Sequence, residues 1–162
     1  MSFDVKREIM TRLQGDGALV ALLATDPNDA VEGEGHPQAA IFPVHASEAP
    51  QVYPCVTFRA NACQPQREFI KPPILANVSL PTVEMERYDF EIWDQLNDGG
   101  DLRDQVRKRL DAVLHQQTFA TAGEAVVFAS QRVTMTMDDF DPVNHARFSL
   151  VSYVLRVQYP AA

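Results

Sequence analysis

The stretch from 87 to 115 constrains the fold most, because a strand with one apolar face is followed closely by a helix with one apolar stripe. Charged and apolar residues alternate at its start, and side chains two residues apart along a strand share a face. The apolar face carries Tyr88, Phe90 and Ile92, and the charged face carries Arg87, Asp89 and Glu91. This pattern is typical of a strand that has one buried and one wet face.

A glycine-containing turn, Asn97–Gly100, ends this alternation. Apolar residues then recur from Leu102 to Leu114 at the spacing of one helix face. We expect Asp101 to begin this helix, with its carboxylate near the unpaired amides and the positive end of the dipole. Neither a half-wet strand nor a one-sided helix is stable alone, so we expect the helix to pack on the sheet.

The rest of the chain adds helices before this stretch and strands on both sides of it. A helix is predicted over 2–13 and a short apolar one over 18–24, although the two could also form one bent helix. Strands are predicted over 39–44 and 53–61, and an antiparallel hairpin over 125–137 and 147–159. The expected fold is one α+β domain over 1–162, with a mixed, mainly antiparallel sheet of four to six strands and two or three helices mainly on one face.

A long loop or arm is predicted at 62–85, where prolines interrupt a run of apolar residues. Connections of this length are uncommon in compact domains and are often functional. Two interpretations remain open, a segment that contacts a partner or a loop folded over its own core. The apolar residues of this segment that would contact a partner are Phe69, Ile70, Ile74 and Leu75.

Trp93 is the only tryptophan and ends the alternating strand. It could cap the core under a loop or helix. It could also anchor a subunit interface, since indole rings are enriched at interface centres.

The sequence offers little catalytic chemistry. Its four histidines lack the close spacing of metal motifs, and neither a nucleophile elbow nor a phosphate-binding glycine loop occurs. We therefore expect no enzyme, no metal and no cofactor. The two cysteines, Cys55 and Cys63, could form one disulfide, but reduced thiols suit a protein assembled in the cytoplasm.

Net charge and apolar run length restrict the partners further. A net charge of −8 argues against a nucleic-acid binder, which needs a basic face. A negatively charged lumen, however, would let DNA pass without gripping its phosphates. The longest apolar run, 18–24, is far below the roughly 20 residues that span a bilayer, so no membrane contact is expected.

Several motifs occur in a familiar order. After the helices at the start come Ile41–Pro43, Tyr53–Phe58, Tyr88–Trp93 and Leu102–Leu110, followed by two closing strands. This order resembles the tail terminator, or tail completion, proteins of long-tailed bacteriophages and related prophage particles. The chain departs from that family's pattern at 62–85, which is longer and richer in proline.

The resemblance implies a structural virion protein and no catalysis. Such proteins form hexameric rings at the head-proximal end of the tail tube, stop tube polymerisation and join the tail to a head-side adaptor or neck protein while DNA passes through the lumen. On this basis, we expect Arg87, Asp89 and Glu91 to face the lumen or remain a wet sheet face. The residues expected in a subunit or tail-tube interface are Phe69, Ile70, Ile74, Leu75 and Trp93. We also expect assembly in the host cytoplasm. The alternatives are another neck, adaptor or baseplate protein, or a small hydrolase or ligand-binding domain.

Overall fold

The computed structural model describes residues 3–26, 38–44, 52–65, 82–95, 100–143 and 145–160. Three helices and six strands occupy these ranges. The helices are α1 (Phe3–Gly15), α2 (Gly17–Val20) and α3 (Asp101–Leu114). The strands are β1 (Ile41–Phe42), β2 (Cys55–Pro65), β3 (Thr82–Asp94), β4 (Phe119–Ala120), β5 (Val126–Asp141) and β6 (Ala146–Tyr159).

The strands form one sheet in the order β1-β2-β3-β6-β5-β4. β1 runs parallel to β2, and every other neighbouring pair is antiparallel. The predicted fold class, a mixed and mainly antiparallel α+β domain, is confirmed. The predicted hairpin of the two last strands is also present, and β5 runs beyond its predicted end because Asp141 still pairs with Ala146.

The main core lies between the helices and one face of the sheet. Helix residues that repeat at one-turn spacing are fully buried there: Val5, Ile9, Leu13, Val106, Leu110 and Leu114. Aromatic rings fill the centre, where Phe58 stacks on Phe90 at a centroid distance of 5.0 Å. Phe90 in turn meets Tyr153 edge to face at 5.5 Å, a favoured aromatic geometry.

Helix α1 spans the two edges of the curled sheet. At its end, the Gln14 side-chain amide both donates to and accepts from the backbone of Ala39, just before β1. On its other flank, the Arg12 guanidinium lies 4.3 Å from the ring centroid of Phe119 in β4. Because β1 and β4 are the opposite edge strands, α1 makes contacts near both edges of the sheet.

The short helix α2 is capped by Asp16, whose Oδ1 accepts the Leu19 N–H at 2.8 Å. The same carboxylate pairs with Arg109 of α3 at 2.5 Å. Burial raises the pKa of Asp16, but these hydrogen bonds outweigh it and the net pKa is lowered. The predicted helix over 18–24 was too long, because Ala24 instead donates its N–H to the carbonyl of Pro54.

Helix α3 begins at Asp101, as predicted. The residue before it, Gly100, is the N-cap, with φ +90 and no side-chain cap hydrogen bond. Glycine tolerates this left-handed conformation, which strains other residues. Just inside the helix, the Arg103 guanidinium binds both carboxylate oxygens of Asp94 at 2.9 Å. This pair ties the start of α3 to the end of β3.

Candidate assembly surfaces

Exposed apolar side chains concentrate on one hairpin. Within the described ranges, the large hydrophobic residues that reach the solvent are Val126, Phe128, Val133, Phe140 and Val143. All of them lie on β5 or in the turn that follows it. Scattered exposed apolar residues need no explanation, but a series along one element indicates a contact surface.

The edge of β5 is poorly suited to adding another strand. β4 pairs only with Val126 and Val127, and over the rest of its described length β5 pairs with β6 alone. The β5–β6 ladder is irregular at three places, the last between Thr136 and Asp139. Bulges of this kind blunt a sheet edge. The β5 surface therefore offers side chains rather than a regular row of backbone groups.

The end of β5 and the turn that follows it form an acidic and apolar segment, Asp139–Val143, which we name the hairpin tip. The Asp139 carboxylate accepts the Phe140 N–H, and the Asp141 carboxylate accepts the Val143 N–H, each at 2.8 Å. Phe140 is 50% and Val143 83% exposed. Local side-chain bonds thus fix the backbone of the tip while its apolar groups face solvent.

A groove of about 700 Å³ runs along the outer side of α1, and we name it the α1 groove. Its described lining is Lys6, Arg7, Met10, Thr11, Gln14, Gly15, Gln38 and Pro43. The amide of Gln14 is held by Ala39, so one wall of the groove is fixed by the fold. The described lining includes two cations and no acidic residue.

The charged face of β3 is a hydrogen-bonded network rather than a fully wet surface. The Asp89 carboxylate is 5% exposed. It accepts bonds from Asn61 Nδ2 at 2.5 Å, Ser152 Oγ at 2.6 Å and Arg87 Nε at 3.0 Å. The expectation of a wet face is therefore wrong for Asp89, because neighbouring strands supply donors that enclose it. Arg87, with 37% of its side chain exposed, keeps contact with solvent.

Glu91 lies on the same face and is half-buried. Its Oε2 accepts a hydrogen bond from Thr57 on β2 at 3.2 Å. Asp89 and Glu91 thus each bind a residue of β2, and the charged face predicted from β3 alone extends across at least two strands.

Trp93 packs within its own chain. It is 7% exposed and stacks on Phe148 at a centroid distance of 4.6 Å. Together with Ala40, Phe42, Cys55 and Ala146 it forms a second, smaller apolar cluster. This burial favours the core interpretation of Trp93, and its indole N–H has no hydrogen-bond partner among the described residues.

In the described ranges, burial or hydrogen bonding engages the thiol of Cys55 and the imidazole of His115. Cys55 is a free thiol, and burial, with a smaller effect from the nearby Glu91 charge, raises its pKa to about 12. A thiol with such a pKa stays protonated and is a poor nucleophile at neutral pH. His115 Nδ1 accepts the Arg132 N–H at 3.1 Å. No cluster of three metal-ligating side chains occurs among the residues described.

The predicted interface residues of the arm, Phe69, Ile70, Ile74 and Leu75, lie outside the described residues, so their role stays a prediction. The hairpin surface was missed by sequence reasoning. One signal could have found it: Val126, Val127 and Phe128 are consecutive. Adjacent residues of a strand point to opposite faces, so such a run places apolar groups on both faces of the strand.

No protein-family model matches the chain, and no curated protein sequence matches it. Its fold is similar to that of a solved chain in a structure described as the virion of a native gene transfer agent particle. The similarity covers 96% of this chain and 95% of that chain, with a TM-score of 0.60 and 10% sequence identity. At this identity the similarity shows the fold. No described helix is long and apolar enough to cross a membrane.

Proposed function

We propose that the chain is a structural protein of a phage-like virion, and specifically a ring-forming tail terminator. The premise is the fold it shares, almost from end to end, with a chain of a gene transfer agent virion. Coverage of 96% and 95% in the two directions supports a role for the whole chain, since little of either chain lies outside the shared fold. The order of sequence motifs supports the narrower assignment to tail terminators.

The surface supports an assembled state. Five large apolar side chains reach solvent along β5 and its turn, with exposures between 40% and 83%. Burying them between subunits would stabilise an assembly by roughly 25 cal/mol per Å² of apolar area removed from water. A closed ring uses two different patches on each subunit. The predicted arm at 62–85 is shorter than expected, because 62–65 continue β2 and 82–85 begin β3. The hairpin side and the rest of this arm, 66–81, are our candidates for these patches.

The charge of the chain suits a passage for DNA. At −8 per subunit, a six-subunit ring would carry a large negative charge. Negative charge facing the lumen would repel the phosphate backbone and leave the DNA free to slide. Glu91 is a candidate for this negative lining, and the partly exposed Arg87 beside it would be its cationic neighbour. In this proposal the tube protein binds one side of the ring and a head-side adaptor or neck protein binds the other.

The proposal is tested by measuring the mass of the purified protein by light scattering and imaging the same fraction by negative stain. A particle about six times 18.1 kDa with a central hole is expected. The ring is then mixed with polymerising tail-tube protein of the same particle, and capped tubes of limited length are expected. Tubes that grow to the same length with and without the protein would refute the terminator role.

Deletion of residues 66–75 tests the arm separately. If the arm contacts a neighbour, the deleted chain remains a folded monomer and no ring forms. A circular dichroism spectrum with native strand content serves as the folding control. Rings formed by this variant would exclude an essential role for the arm in assembly. The terminator role would still be tested by the capping assay.

A further inference from the structure

The hairpin tip and the α1 groove have opposite chemical character. The tip carries the carboxylates of Asp139 and Asp141 beside the exposed Phe140 and Val143. The described lining of the groove carries two cations, Lys6 and Arg7, with apolar and neutral polar residues. The tip and the described lining of the groove thus carry opposite charges beside apolar groups, and both belong to the same chain.

A chain does not fill its own groove with its own tip. Phe140 and Val143 remain 50% and 83% exposed in the single chain. The groove keeps an open volume of about 700 Å³, which is within the range of clefts that bind ligands. A contact between the tip and the groove therefore requires two copies.

We propose that the hairpin tip of one copy docks in the α1 groove of the next copy. This inference rests on the proposed ring and names the contact that closes it. Phe140 and Val143 would pack against Met10 and Pro43, and the two aspartates would lie near Lys6 and Arg7. The contact is heterologous, so each subunit gives one tip and receives one tip, as closure of a cyclic ring requires.

Charge explains why the occupant is a second copy. At −8, two copies repel each other at long range, and a stable contact needs a local patch of opposite sign. The described lining of the α1 groove supplies two cations for such a patch, and the tip supplies two carboxylates beside apolar groups. The irregular β5 edge disfavours the competing arrangement, in which copies join by extending the sheet.

Charge reversal provides a sharp test. The groove variant is Lys6→Glu with Arg7→Glu, and the tip variant is Asp139→Lys with Asp141→Lys. Each variant alone would meet like charge at every contact, so we expect loss of the ring at concentrations where the unchanged protein is fully assembled. In an equimolar mixture every contact between the two variants is complementary, so alternating rings with an even number of subunits are expected.

A matched control reverses charge elsewhere. Lys108→Glu with Arg156→Glu changes the net charge as much as the groove variant does, at residues outside the groove lining and the tip. This control is expected to keep the ring. A second probe, Phe140→Ser with Val143→Ser, retains both aspartates and is also expected to lose the ring, because it removes the apolar part of the tip.

The outcomes separate this contact from the proposed function. Rings lost in each variant and restored on mixing establish the contact. Rings retained by both charge variants, or lost and not restored by mixing, overturn it while the capping assay still supports the terminator. If the unchanged protein forms no ring, even on tail tubes, then the ring itself is refuted and the contact with it.

Discussion

The buried pair between Asp94 and Arg103 makes the strongest prediction about stability. The Arg103 side chain is 3% exposed and the Asp94 side chain 1%, and one guanidinium nitrogen reaches both carboxylate oxygens at 2.9 Å. The pair joins the end of β3 to the first turn of α3. Removal of either partner would leave the other charge buried at this junction.

Three variants test this pair: Asp94→Leu, Arg103→Met and the double variant that carries both changes. Loss of one partner of a buried pair costs about 3–5 kcal/mol, because the remaining charge keeps its desolvation penalty. A domain of this size is stable by only about 5–15 kcal/mol, so each single variant loses a large share of its stability. The double variant replaces both charges with apolar groups, and we expect it within about 2 kcal/mol of the unchanged protein.

The assay is urea unfolding followed by circular dichroism, with the free energy of unfolding extrapolated linearly. Lys108→Ala is the control, since the Lys108–Asp104 pair is 64% and 35% exposed and such pairs contribute about 0–1 kcal/mol. Single variants that lose less than about 1 kcal/mol, or a double variant that loses the sum of the single losses, would refute the reasoning.

Three further predictions concern single positions. Gly100→Ala should destabilise the chain by about 1–2 kcal/mol, because φ is +90 there, whereas Gly15→Ala, with open space around it, should not. Because the pKa of Asp16 is lowered, its carboxylate contributes to folding stability fully above its ordinary pKa of 3.8, and this contribution is lost as the pH falls through the lowered pKa. Asp16→Asn should therefore weaken the dependence of the melting temperature on pH in this acidic range. In a Cys63→Ser variant, Cys55 should react with a thiol reagent at pH 8 only after unfolding, because its pKa is about 12.

Periodicity made the fold class predictable. Tyr88, Phe90 and Ile92 alternate with charged residues, and the structure buries all three of them beneath the helices. The stripe from Val106 to Leu114 likewise predicted which side of α3 would pack. These signals are local, since each depends only on residues that are close in sequence, and they are the part of a fold that a single sequence carries most clearly.

The conformation of Gly100 and the enclosure of Asp89 could not be predicted in the same way. The first residue of α3, Asp101, follows from residue type, but the left-handed backbone of Gly100 at the N-cap does not. Asp89 was predicted on a wet face, and its donors Asn61 and Ser152 come from other strands. Alternation shows that a face is polar, but it does not show whether neighbouring strands satisfy and cover it.

The two faces of the sheet therefore differ in what they can contribute to assembly. On one face the helices cover the core, and on the other the charges around Asp89 are already bound to one another. A buried and satisfied network gives little to a new partner, because docking would have to replace bonds that it already makes. The apolar side chains of the hairpin tip and β5 make no hydrogen bonds that docking would have to replace, and those named above are 40% or more exposed. Assembly through the hairpin would remove this apolar surface from water without breaking the network around Asp89. Substitutions at Phe140 should therefore affect ring formation far more than substitutions at Asp89 that preserve its hydrogen bonds.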